Sequence, residues 1–147
     1  MRASRVITSV LAVAALSCTG SPATAATADC GTTRDQWVGR YTGVYDLYEW
    51  HIVEPLEVVV THGGTGLSVD TTTGDGPTYP DDERYTAVRD GLLHWTALNP
   101  SDWPTHYDST TATCSGATVA SYSGGIRMFH GGPGFYARGK FQLTRSA

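Results

Sequence analysis

The chain has 147 residues, of which 40% are hydrophobic, 16% charged and 10% aromatic, with a formal net charge of −4. That length accommodates one domain, and the aromatic content with sparse charge excludes a disordered chain. The absence of a basic surplus argues against a nucleic-acid partner, and no apolar run is long enough to span a bilayer.

Met1 to about Ala28 reads as a secretory signal. Arg2 and Arg5 form a positive start, Val6 to Leu16 an apolar stretch of roughly eleven residues, and Ala23-Thr24-Ala25 and Ala26-Thr27-Ala28 two small-residue cleavage signals. Cleavage is expected after Ala25 or Ala28. Cys18 follows Leu16 one place too closely for the usual lipoprotein signal. Removing the segment leaves eight basic and fourteen acidic residues, a balance of −6. Nine arginines stand against one lysine, a bias associated with GC-rich bacterial genomes. Cys30 and Cys114 then remain, and outside the cell they are expected to form a disulfide. No Cys-x-x-Cys spacing supports a metal or redox site instead.

Period-two alternation dominates the remainder of the chain. Trp37, Gly39, Tyr41, Gly43 and Tyr45 share one face of a first strand. Leu56 to Thr61 and Leu67 to Thr71 flank the glycine-rich turn His62 to Gly66 and predict a hairpin. Gly74 to Arg84, with two prolines and an acidic cluster, is expected to be a loop. Tyr85 to Arg89 meets Leu92 to Thr96 across Asp90-Gly91, which suits a turn with positive φ at both central residues. In that register Val88 faces Leu93 and Thr86 faces Trp95. Asn99 to Thr113 is again expected to be a loop, and Gly124-Gly125 to be a two-residue turn between Ala117–Ser123 and Ile126–Phe129. In the last strand Phe135, Ala137, Gly139, Phe141 and Leu143 form a dry face; Tyr136, Arg138, Lys140, Gln142 and Thr144 form a wet one. About seven or eight strands in an up-and-down antiparallel order predict an all-β fold, a β-barrel or alternatively a β-sandwich.

Trp37-Val38-Gly39-Arg40-Tyr41 near the start, the series of hairpins, and Gly139-Lys140-Phe141-Gln142-Leu143-Thr144-Arg145 at the end resemble the calycins, the group of lipocalin-like and avidin-like barrels. The resemblance covers most of residues 29–147 as a pattern and rests on a handful of specific residues. It implies that Trp37 closes one barrel end and that Arg145 packs across it. The order Trp-x-Gly departs from the lipocalin Gly-x-Trp, and an avidin ligand set cannot be traced.

A barrel of this size holds one small ligand or is filled by its own side chains. Tyr41, Tyr45, Trp95 and Tyr122 are the candidate lining for a small, partly apolar ligand, since each ring carries an apolar body and a polar tip. Trp95 and His94 compete for the inward position, being adjacent on one strand. Among His51, His62, His94, His106 and His130 no spacing suits a metal site, and no metal or cofactor is expected. Glu49, Glu54 and Glu57 with His51 lack a fixed spacing for acid–base work. Asp70, Asp75, Asp81, Asp82 and Glu83 do not follow a calcium-loop pattern and read as a solvated acidic face.

The expected function is therefore a secreted, non-catalytic binding protein, with no catalytic residue assigned. Two alternatives stand beside it. One is a small hydrolase or isomerase using His94 and a nearby carboxylate. The other is a protein-binding or inhibitor module acting through Trp103, which stands among Pro100, Pro104 and Tyr107.

Overall fold

A computed structural model describes residues 29–64, 66–98, 104–129, 134 and 136–147. Residues 1–28, where a secretory signal is expected, and Trp103, His130 and Phe135 lie outside these. Nine strands follow a short 3-10 turn at Arg34–Gln36: β1 Gly39–Leu47, β2 Ile52–His62, β3 Leu67–Thr73, β4 Thr78–Tyr79, β5 Ala87–Arg89, β6 Leu92–Leu98, β7 Pro104–Ser115, β8 Thr118–Phe129 and β9 Tyr136–Arg145. All pair antiparallel in one sheet of order β4-β3-β2-β1-β9-β8-β7-β6-β5. The fold is all-β. Meeting of the first and last long strands, Tyr41 opposite Arg145 and Tyr45 opposite Phe141, curls the sheet around a single core.

The alternation of wet and dry residues in β9 is realised from its first residue: Ala137, Phe141 and Leu143 are buried and Tyr136, Arg138, Lys140, Gln142 and Thr144 exposed. Asp90 and Gly91 both take positive φ, 52° and 75°, and Val88 pairs with Leu93. The regular pairing of β5 stops at Ala87 with His94, so Thr86 lies outside the ladder.

Two sequence expectations fail. Residues 104–113 are not a loop, because β7 starts at Pro104. Thr105, Tyr107 and Ser109 point inward, while outward hydroxyls pair across strands, Thr111 with Ser123 at 2.7 Å and Thr113 with Ser121 at 2.6 Å. A run of small polar residues thus serves as a strand by hydrogen-bonding its neighbour. Nor is Gly124-Gly125 a turn; it lies inside β8, and the chain reverses at Gly116 (φ 59°) instead. A Cβ at Gly124 would sit 2.0 Å from the Asp108 carbonyl oxygen, beside the bulge between Ser109 and Thr111. Glycine is there for close backbone approach.

The ladder is not closed into a full cylinder: β4 and β5 are its end strands and do not pair with each other. Pro77 and Pro80 bracket β4, and proline offers the ladder no N–H. The expected loop over residues 74–84 therefore holds only this two-residue strand and one bridge. That bridge, Asp81 with Ala97, lays the segment after β4 against β6, together with bonds from Leu98 N–H to the Pro80 oxygen and from Asp82 N–H to the Thr96 oxygen, each 2.9 Å. Asp81, buried at this seam, accepts hydrogen bonds from the Ser68 and Thr86 hydroxyls. Inside, the Trp95 indole N–H donates to the Thr71 hydroxyl at 3.0 Å, joining β6 to β3.

Candidate functional site

The two ends of the curled sheet differ. At one, where β1 begins and β9 finishes, residues 29–38 cross the opening. Cys30 and Cys114 form a disulfide with their Cα atoms 5.6 Å apart, and the Trp37 indole donates to the Gly31 oxygen at 2.7 Å. Arg145 lies over the Tyr41 ring, its guanidinium carbon 4.9 Å from the centroid. It donates to the main-chain oxygens of Val119, Val38 and Gln36 and, at 2.7 Å, to the Tyr41 hydroxyl. A Cβ on Gly39 would fall 2.1 Å from this guanidinium, so the glycine makes the seat. Trp37 and Arg145 thus both stand at the closed end, with Arg145 stacked on Tyr41.

The middle of the interior is filled by rings. Tyr122 packs edge-on to Trp37 at 5.1 Å, Tyr41 at 4.9 Å and Phe141 at 5.8 Å; Trp95 stacks on Tyr107 at 4.6 Å. Trp95 points inward from β6, with Leu93 and Ala97, and His94 faces out. Three of the four residues singled out as a lining, Tyr41, Trp95 and Tyr122, belong to this packed centre. Burial holds the Tyr122 hydroxyl well above the usual phenol range, and this hydroxyl makes no hydrogen bond among the described residues.

Tyr45 sits farther along, toward the other end, and donates to Glu54 Oε2 at 2.6 Å. Burial, reinforced by the Glu54 carboxylate, raises its pKa strongly. Tyr107 is likewise raised by burial, with Tyr45 and Tyr79 adding to the effect. Beside them a cavity of about 60 Å³ is lined by Thr73, Tyr79, Ala97, Thr105, Tyr107 and Met128. Of these, Tyr79, Tyr107 and Thr105 are hidden from sequence reasoning, because their segments have the prolines and small polar residues of loops. Alternation through Thr105, Tyr107 and Ser109 is the signal that could have found β7.

Outside, His94 Nδ1 lies 3.0 Å from Asp108 Oδ1, and Arg127 donates to the other carboxylate oxygen at 2.8 Å. Burial pushes the Asp108 carboxyl up, but these two partners outweigh it and hold it below its usual value. Next to this cluster His106 meets the Thr96 hydroxyl at 2.7 Å; burial and then Arg127 lower its pKa. The glutamates considered for acid–base work are dispersed: Glu49 accepts from the Arg138 N–H, Glu54 from Tyr45 and Glu57 from Arg40. His51 occupies the β1–β2 turn, and His62 lies 3.7 Å from Asp35. Among the described residues no three His, Cys, Asp or Glu side chains converge as metal ligands, and no helix is long and apolar enough to cross a membrane.

No protein-family description, curated protein or solved structure matches this chain.

Proposed function

We propose that the protein is an exported, non-catalytic binding protein whose calycin-like curled sheet receives a small, partly apolar molecule at the end opposite Arg145. The observation that carries this reading is the cavity lined by two tyrosines, Tyr79 and Tyr107, with two threonines, against an opposite end occupied by the N-terminal segment. A tyrosine with a raised pKa keeps its proton at neutral pH and serves as a hydrogen-bond donor, not as a base. Thr73, Thr105, Ala97 and Met128 add an environment with a few polar tips among apolar walls, the usual composition of a ligand site. The cavity of about 60 Å³ takes only a small group, so the ligand enters by one end, its remainder lying across the rim. Export is supported by the signal-like start and the Cys30–Cys114 bridge.

Native mass spectrometry of the secreted protein should find a copurified small molecule, and a hydrophobic fluorescent probe should bind with a change in Trp95 emission. Ala97→Met fills the cavity and should weaken probe binding roughly tenfold. Tyr79→Phe, which removes only a hydroxyl, should weaken a hydrogen-bonding guest by about fivefold. Equal binding by wild type and Ala97→Met would count decisively against this site.

A further inference from the structure

A second, larger concavity lies on the outer face of the sheet, away from the interior. It has a volume of about 420 Å³ and crosses β1, β9, β8 and β7, with Val44, Asp46, Thr110, Ser123, Lys140 and Gln142 contributing side chains. That volume is in the range that holds small ligands. Gly124 of β8 and Phe141 of β9 complete its lining, and the result is a trough bordered by polar side chains.

We infer that this trough is a binding site for a neutral polyhydroxylated ligand, a short uncharged saccharide. Three observations select that class. First, the charges in the trough cancel: Lys140 Nζ stands 3.6 Å from Asp46 Oδ2, and the chain as a whole is net negative. An anionic ligand is therefore neither paired locally nor attracted from a distance. Second, the lining carries both donors and acceptors: the Lys140 ammonium, the Asp46 carboxylate, the Gln142 amide and the hydroxyls of Thr110 and Ser123, the last also bonded to Thr111 at 2.7 Å. Adjacent hydroxyl groups on a sugar, each donor and acceptor, complement such a set. Third, the exposed ring of Tyr48 stands near Lys140, one of the lining residues, whose Nζ is 5.8 Å from the ring centroid. A ring face with one polar tip can cover the C–H face of a sugar. A peptide added as an extra strand does not suit the place: β1, β9, β8 and β7 each already pair on both sides, so no main-chain edge is free there.

This site is independent of the opposite-end cavity. The test uses the full secreted chain and amide NMR shifts during titration with an uncharged glucose trimer and an uncharged N-acetylglucosamine trimer, with a galacturonic acid trimer as the charged control. At least one neutral trimer should give saturating shifts at Ser123, Lys140 and Gln142, with a Kd on the order of 1 mM. Gln142→Ala and Lys140→Ala, both at exposed positions, should each weaken binding about fivefold, and Ala97→Met should leave it unchanged. The inference is overturned if neither neutral trimer produces saturating shifts at about 50 mM. Tighter binding of the acidic trimer, or unchanged affinity in both Gln142→Ala and Lys140→Ala, would overturn it equally.

Discussion

The hydroxyls of Tyr41, Tyr45, Tyr107 and Tyr122 all give up their protons less readily than a tyrosine in water, mainly because burial disfavours the phenolate. Tyr41 is moderated by Arg145, whose charge and hydrogen bond partly offset burial and leave its pKa at about 12. In the unfolded chain a tyrosine loses its proton near pH 10. The native state therefore binds more protons than the unfolded state above that pH, and stability falls as pH rises. Each group contributes about 1.4 kcal/mol per pH unit until its folded pKa is reached. Urea unfolding should show full stability below pH 9 to 10 and a steep loss between about pH 10 and 12. Tyr45→Phe should flatten that loss; an alkaline profile identical to wild type would show that Tyr45 ionises freely. At this scale the sequence was partly legible. Alternation put Tyr41 and Tyr45 on one face, yet left Trp95 and His94 competing for the inward position and gave no sign that Tyr41, Trp95 and Tyr122 pack with one another while Tyr107 and Tyr79 line the cavity. Ring volumes and the curvature that lets them meet are properties of the assembled sheet, not of local alternation.

Among the elements, β9 and the β5–β6 hairpin were readable because each carries a strong local signal, strict alternation in one and Asp-Gly in the other. By contrast β7 was obscured by its threonines and serines, and β8 by a glycine pair whose purpose is set by Asp108 on the neighbouring strand. A contact made across the sheet leaves little trace in the residues beside it. The disulfide acts at this same level, tying the segment before β1 to the end of β7 across a sequence separation of 84. The chain-entropy model assigns such a loop about 4.6 kcal/mol, an upper figure. Cys30→Ala/Cys114→Ala should lower the unfolding free energy by roughly 2–4.6 kcal/mol in urea titrations and loosen Trp37 first, read by its fluorescence. A loss below about 0.5 kcal/mol would mean that Trp37 and Arg145 hold the end without the bridge.

For the whole molecule the decisive place is the seam between the end strands of the sheet. The packed interior needs cover there, and the cover comes from a short segment held by Asp81 and two main-chain hydrogen bonds to β6. Removing the buried acceptor leaves the Ser68 and Thr86 hydroxyls without it, at a cost of about 1–3 kcal/mol. Asp81→Ala should accelerate amide hydrogen exchange at Asp82 and Leu98 well before the β1–β9 ladder is affected. Uniform acceleration across all strands would instead place the seam within the global unfolding unit. Alternation announced antiparallel strands but held no sign of where the ring of strands is interrupted, since that depends on how far each neighbour extends.

The covered end has a further geometric consequence. Cys30 is bound to the end of β7, while the Ser146 N–H donates to the Arg40 oxygen at the start of β1. Both extremities of the described chain thus depart from one pole. A fusion partner or surface anchor attached at either extremity would leave the far rim unobstructed, and a short connector between the two would permit new termini to be cut elsewhere.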